Sequence, residues 1–264
     1  MGQNTSISWT HHTFNPWWGC VEVGGSPACG GPEPHEGECY AKTWDRRCGG
    51  NHWGSDAPRS FLSNKHWAAP LKWNRDAEEA GEHRRVFIMS MGDWAEGRPD
   101  ERPHLERLWR LFDKTPWLDK LMLTKRPQLI RSIYPFVRRQ DVWMGITAEN
   151  QRWLDIRWPF LRDVEAEIHW LSIEPMFESM TLPVDFLNLG KRAWVIVGGQ
   201  SGRNANDLRV NWVRHMRDQC REAGVPFHFK QGSQTANWGG SREFKLFDRF
   251  PADLQIREFP NLRK

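Results

Sequence analysis

Short apolar runs alternate with amphipathic stretches along most of the chain. The runs are Val86–Met91, Lys120–Leu123, Val142–Ile146, Glu167–Ile173, Trp194–Val197 and Val225–Phe229. Each has four to seven residues, is rich in β-branched or aromatic types and ends in a polar or Gly-rich turn. That is the pattern of strands buried on both faces. Between them, Arg102–Lys114 places Leu105, Leu108, Trp109 and Phe112 on one helical face. Gln151–Leu161 spaces Leu154, Trp158 and Leu161 by four and three. Asn211–Ala223 carries Val213, Met216 and Cys220 in register ahead of Gly224, a C-cap. Residues 61–82 read as a mixed segment anchored by Trp67, Leu71 and Trp73. The alternation predicts one parallel α/β sheet, open or closed into a barrel. It predicts a single domain over 1–240, with a cysteine loop at 17–54 and a charged extension at 241–264.

Ligands of parallel α/β folds bind beyond the C-terminal ends of the strands, and those ends are polar here. They read Ser90-Met91-Gly92-Asp93, Thr124-Lys125-Arg126-Pro127, Thr147-Ala148-Glu149-Asn150, Ser172-Ile173-Glu174-Pro175, Gly198-Gly199-Gln200-Ser201-Gly202 and Lys230-Gln231-Gly232. One polar residue after a strand is ordinarily a cap or a solvated charge. Six such ends in succession form a ring suited to a polar, zwitterionic ligand, with Arg and Lys for a carboxylate and Asp and Glu for an ammonium group or ribose hydroxyls. The Gly198–Gly202 turn lacks the spacing of a phosphate-binding fingerprint.

Composition narrows the class. The 264 residues carry 37 Lys and Arg against 33 Asp and Glu, a net charge of +4, which permits a nucleic-acid partner without requiring one. Basic pairs occur at Arg46-Arg47, Arg84-Arg85, Lys125-Arg126, Arg138-Arg139 and Lys191-Arg192. Seventeen Trp against two Tyr is an unusual ratio, read mainly as core filler. No run of 18 apolar residues marks a membrane span, and the polar N-terminus lacks a signal sequence. The expectation is a cytoplasmic chain with no membrane partner.

Four of the five cysteines, Cys20, Cys29, Cys39 and Cys48, fall within one Gly- and Pro-rich stretch, and Cys220 lies far away. An odd count in a cytosolic chain argues against disulfides. The gaps of eight, nine and eight residues lack the close pairs of zinc fingers. Three readings stay open: a four-thiolate zinc site, free thiols, or Cys20, Cys29 and Cys39 on a [4Fe–4S] cluster with one iron open to a ligand. His11, His12 and His35 are weaker metal candidates, read as surface or loop residues.

The blocks SWTHHTFNPWWGC, SPAC, CYA, MSMGD, LTKRP, GITAEN, SIEP, VIVGGQSG and FKQ, in that order from about residue 7 to residue 232, resemble a family of phage and bacterial radical-SAM-like proteins bearing a three-cysteine motif. The resemblance implies a partial (β/α) barrel of about six parallel strands with an N-terminal cysteine-rich loop. It implies that Cys20, Cys29 and Cys39 hold a [4Fe–4S] cluster and that S-adenosyl-L-methionine binds its fourth iron. Ser90, Gly92 and Asp93 are then the turn that receives the methionyl ammonium group. Lys125 and Arg126, or Glu149 and Asn150, are partners of the carboxylate and ribose, with Tyr40 and Thr147 beside the cofactor. Glu174, Gln200 and Lys230 are the deeper, catalytic positions. The chain departs from the pattern in the nine residues between Cys29 and Cys39, where members typically have about two, and in Cys48, which as a fourth ligand would close the cluster.

The activity implied is that of a radical enzyme. An external one-electron donor of flavodoxin or ferredoxin type reduces the cluster, and a 5′-deoxyadenosyl radical abstracts hydrogen from a substrate. DNA or a nucleotide is the expected substrate, through rearrangement of a thymine-derived base in phage DNA. The competing expectation is a non-catalytic, zinc-stabilised DNA-binding module.

Overall fold

The computed structural model describes residues 5–31, 39–134, 139–202 and 204–262. It is an α/β fold of the half-barrel class built on a parallel seven-stranded sheet. The strands are β1 (His12–Phe14), β4 (Arg84–Ile88), β5 (Leu118–Thr124), β6 (Val142–Thr147), β7 (Ile168–Ile173), β8 (Ala193–Gly198) and β9 (Phe227–Gln231), neighbours in that order. β2 (Trp17–Trp18) and β3 (Ser60–Phe61) form a separate antiparallel pair. Every residue of β6, β7 and β8 is buried, which explains their unbroken apolar runs. Ten of the 17 Trp are buried, in keeping with core filler. No helix of the described residues is long and apolar enough to cross a membrane.

Contacts divide the chain into two compact units. The first comprises Met1–Val23, Glu38–Met144 and Val164–Glu167; the second comprises Gly24–Gly37, Gly145–Asp163 and Ile168–Lys264.

Local chemistry sets the element boundaries. β1 adds a seventh strand to the expected six; its three residues, His-Thr-Phe, are too short and polar for hydropathy to flag. β4 stops at Ile88 because Met89 adopts φ +65°, a left-handed conformation that turns the backbone out of the ladder. β5 begins two residues earlier than expected because its charged residues are buried. Lys120 Nζ donates to Asp141 Oδ2 at 2.5 Å and to the Thr115 carbonyl at 2.6 Å. β9 begins at Phe227 because Val225 is taken by the helix before it. The Gly224 N–H donates to Arg221 O and the Val225 N–H to Cys220 O, with Gly224 at φ +65°. The same closure at Gly81 ends the helix Ala69–Ala80, so most of the mixed segment is helical. The helices Arg102–Asp113, Gln151–Arg162 and Val210–Ala223 lie within a residue of their expected positions.

Two further features bear on stability. In the second unit the C-terminal residues cover β9, an edge strand of the sheet. Phe229 N–H donates to Ile256 O, Glu258 N–H to Phe227 O, and Trp194 Nε1 to Glu258 O. Their pairing removes the exposed ladder that would recruit another chain. In the first unit Arg59 donates to Glu101 Oε1 at 3.1 Å and to Glu96, all three side chains being essentially buried. Its remaining donors take the carbonyls of His52, Gly54 and Ala57. Burial, and next the neighbouring Glu96, push the Glu101 carboxyl up to about 8, against the pull of Arg59.

Deleting residues 252–264 is expected to lower the thermal midpoint and produce soluble oligomers by size-exclusion chromatography; a monomeric, equally stable product would refute the edge-covering role. For Glu101 the folded pKa lies above the unfolded value, so its contribution is full below about pH 4.5 and is lost as pH rises towards 8. His11 and His12, pushed down to about 4 chiefly by burial, oppose this only below their ordinary value of 6.5. The urea midpoint is therefore expected to fall between pH 6.5 and 8, and Glu101→Gln to flatten that slope.

Candidate active site

In the first unit the left-handed Met89 leads into Ser90-Met91-Gly92-Asp93, and a second segment of backbone lies against this turn. Gly19 N–H donates to Met91 O at 3.0 Å, and Gly19 pairs with Gly92. A Cβ on Gly92 would lie 2.7 Å from Gly19 O and 2.6 Å from Met89 Cε. Only glycine permits that approach, which delivers the chain to Cys20. Asn15 secures it further: its Oδ1 accepts from Met91 N–H at 2.8 Å, and its Nδ2 donates to Ser90 Oγ at 3.0 Å. The Tyr40 hydroxyl donates to the Ser90 carbonyl, although the residue is 62% exposed.

Asp93 is saturated within the chain. Oδ1 accepts from Ala95 N–H and Thr124 Oγ1, and Oδ2 from Lys125 N–H and Arg126 Nη1. Arg126 then reaches the Val21 carbonyl and lies 3.7 Å from Cys20 Sγ. Burial pushes the Cys20 thiol up, with Asp93 adding and Arg126 opposing. Asp93 and Arg126, the expected partners of a cofactor's ammonium and carboxylate groups, meet each other and the Cys20 segment.

Cys39 and Cys48 bracket the helix Tyr40–Arg47, one at each cap. Nine residues of helical rise separate them by about 13 Å. Two thiolates on one zinc, each about 2.3 Å from the metal, do not span that distance. Cys48 is exposed, and none of the five cysteines is in a disulfide. Asp45, on the buried face of the same helix, accepts from His52 N–H at 3.0 Å and lies 2.7 Å from His52 Nδ1.

In the second unit Cys29 closes the 3₁₀ turn Pro27–Cys29. Its N–H donates to Ser26 O at 2.9 Å. Ser26 Oγ donates to Glu149 Oε1 at 2.7 Å and accepts from Arg157 Nη2 at 3.2 Å. Arg157 Nη1 donates to Glu149 Oε2 at 2.8 Å and to the Thr147 carbonyl at 2.7 Å. All three side chains are buried. Asn150 caps the helix Gln151–Arg162, its Oδ1 accepting from Trp153 N–H, a contact of about 1 kcal/mol. Thr147, Glu149 and Asn150, expected beside a cofactor, are thus occupied within the chain.

Glu174, just past the end of β7, meets Lys230, the last residue but one of β9. Lys230 Nζ lies 3.3 Å from Glu174 Oε2, and Glu174 Oε1 is buried with no hydrogen-bond partner. A Cβ on Gly198 would lie 3.0 Å from that oxygen. Gln200 Oε1 accepts from Asn206 N–H and Nδ2, fixing the loop after β8.

Several expectations resolve differently. His12 is no surface ligand: it is buried in β1 and stacked on Trp73 at 4.5 Å. His11 Nδ1 accepts the Arg85 N–H, and His35 lies outside the described residues. Of the basic pairs, Arg85 donates to Trp9 O, Arg126 pairs with Asp93, and Arg139 pairs with Asp113 and Asp141. Ser26, Asn15 and Arg157 were missed as anchors, because no hydropathy or metal-spacing pattern distinguishes them. Within either unit the described residues gather no group of three His, Cys, Asp or Glu around a metal. Cys20 and Cys39 belong to the first unit and Cys29 to the second.

Among solved structures the chain is similar to spore photoproduct lyase. A double mutant with bound AdoMet and dinucleoside spore photoproduct is 12% identical, with 86% of this chain and 78% of that chain covered and a TM-score of 0.53. A complex with the dinucleoside spore photoproduct gives 12%, 87%, 79% and 0.53, and a single cysteine-to-alanine mutant with the same dinucleoside gives 12%, 87%, 79% and 0.55. At this identity the likeness is one of fold. No curated protein matches the chain. The profile of a family described as "Protein of unknown function (DUF5131)" matches residues 4–251, and the chain belongs to that family.

Proposed function

We propose that the protein is a radical S-adenosylmethionine enzyme whose Cys20, Cys29 and Cys39 hold a [4Fe–4S] cluster. The observation that carries this reading is the fold shared with a protein that binds AdoMet, over 86% of the chain, together with three cysteines outside any disulfide on the stretch that leads into helix Tyr40–Arg47. The donor set fits. All three ligands are soft sulfurs, the kind that iron–sulfur clusters take. The helix that holds Cys48 away from Cys39 leaves three thiols for the cluster, which keeps one iron open. Bound together, the cluster and S-adenosylmethionine supply reductive cleavage of a carbon–sulfur bond and a radical that takes hydrogen from the substrate.

The chain's residues do the rest. Arg126 places a positive charge beside Cys20 and so offsets part of the cost of a buried thiolate there. Glu174 offers an acceptor oxygen and Lys230 a cation to a polar ligand beyond β7 and β9. The buried strands and Trp side chains below them exclude water. The dinucleoside bound in the neighbouring structures supports a nucleic-acid substrate, and the reaction we propose is rearrangement of a thymine-derived base in phage DNA. The electron comes from an external one-electron carrier of flavodoxin or ferredoxin type.

Anaerobic purification is expected to yield a brown protein with about four iron and four sulfide per chain. Dithionite and S-adenosylmethionine should then give 5′-deoxyadenosine, and Cys29→Ala should abolish both. Zinc in place of iron, or 5′-deoxyadenosine formation that survives Cys29→Ala, would overturn the assignment. Glu174→Gln is expected to keep the iron content and lower turnover about tenfold or more, the cost of losing a charged hydrogen bond. Unchanged turnover would remove Glu174 from the site.

A further inference from the structure

We infer that Ser26, Glu149 and Arg157 form a clamp that positions Cys29 for metal binding, and that the GITAEN segment serves this clamp. The inference rests on the proposed function only in taking Cys29 as a metal ligand.

Three observations carry it. First, the three side chains satisfy one another around a closed circuit: Ser26 Oγ to Glu149 Oε1, Glu149 Oε2 to Arg157 Nη1, and Arg157 Nη2 back to Ser26 Oγ. Ser26 and Glu149 are 0% exposed and Arg157 is 1% exposed, so these contacts are shielded from bulk solvent. Second, the circuit is tied to rigid structure on one side only. Arg157 donates to the Thr147 carbonyl at the end of β6 and belongs to the helix Gln151–Arg162, whose start Asn150 caps. Phe177 N–H donates to the Glu149 carbonyl. On the other side stands the Gly- and Pro-rich cysteine loop. Third, Ser26 is the point where the clamp meets that loop. Its carbonyl accepts from both Cys29 N–H at 2.9 Å and Gly31 N–H at 3.2 Å, so the backbone of Cys29 is hung from Ser26. Trp153 adds a second tether: Nε1 donates to the Gly25 carbonyl at 3.2 Å, and its ring lies 4.2 Å from the Arg157 guanidinium.

A buried Arg–Glu pair roughly offsets its own desolvation and is a weak source of stability. What it does supply is one fixed geometry, which a cysteine ligand on a Gly- and Pro-rich loop needs. Ser26 is thus a positioning residue. It touches no reacting atom, and its hydroxyl decides where Cys29 stands.

The test compares wild type, Ser26→Ala, Ser26→Thr and Glu149→Gln as full-length chains. Anaerobically loaded protein is challenged with EDTA, and the brown absorbance and bound iron are followed with time. Ser26→Ala and Glu149→Gln are expected to lose iron about tenfold faster or more, as residues behind a metal ligand do when removed, with Ser26→Thr close to wild type. In the metal-free chains, iodoacetamide labelling read by peptide mass spectrometry should speed up at Cys29 and stay unchanged at Cys20. Far-ultraviolet circular dichroism identifies any variant that has not folded; Ser26→Thr and the Cys29 labelling pattern then decide. Wild-type iron retention and Cys29 labelling in both disruptive variants would overturn the clamp while leaving the proposed function standing. A wild-type chain that takes up no iron would overturn the proposed function, and the labelling arm would still judge the clamp.

Discussion

A carboxylate taken out of water at the end of a parallel strand must be matched by a cation, and in this chain the match is made twice by arginine. Asp93 follows β4 and pairs with Arg126; Glu149 follows β6 and pairs with Arg157. Each arginine has donors left over after the carboxylate is satisfied, and each spends them on the cysteine-bearing stretch. Arg126 reaches the Val21 carbonyl and the neighbourhood of Cys20, and Arg157 reaches Ser26. The planar five-donor fork of arginine lets one side chain grip a carboxylate and reach a second segment in fixed directions. One residue type in two places thus ties a strand end to the cysteine-bearing stretch.

That loop needs holding because it cannot hold itself. Residues 20–31 contain four glycines and a proline and only the short 3₁₀ turn at Pro27–Cys29. Ordering each such residue costs on the order of 1–2 kcal/mol of backbone entropy, and the loop offers few apolar side chains in return. The stiffness comes from elsewhere. β6, β7 and β8 are buried along their whole length, so the residues that follow them start from fixed positions. A Cβ on Gly19, at φ +117°, would meet His52 O at 2.4 Å, so the approach to Cys20 is equally confined.

The fold was legible in the sequence to the extent that apolar burial writes it. The interior strands and the longest helices announce themselves because their apolar residues repeat with the right period. β1 does not, since three residues carry too little pattern, and β5 hides its first turn of charge because Asp141 neutralises Lys120 out of sight of any hydropathy measure. The candidate site was legible by address more than by role. The strand ends were correctly picked out as polar. Which of their side chains remain available was invisible, because that depends on partners distant in sequence: Glu149 is 123 residues from Ser26, and Asp93 is 33 from Arg126. Cys48 is the converse case. Its eight-residue gap from Cys39 looked like the others until an eight-residue helix filled it.

The polar residues that follow the strands are therefore of two kinds. Asp93 has both oxygens taken by four donors, and Glu149 has both taken by Ser26 and Arg157. Both carboxylates thus have their two oxygens engaged within the chain. Glu174 differs: Lys230 and Ser172 approach only Oε2, at 3.3 and 3.4 Å, and Oε1 is left buried without a partner. A buried carboxylate oxygen in that condition costs roughly 1–3 kcal/mol or more in an otherwise satisfied fold. The glycine at position 198 keeps space open against that oxygen, where any side chain would begin to crowd it. Chains tolerate such a cost where a binding partner recovers it. Among the acidic residues that directly follow the central strands, Glu174 alone of those described keeps a buried side-chain oxygen without a hydrogen-bond partner.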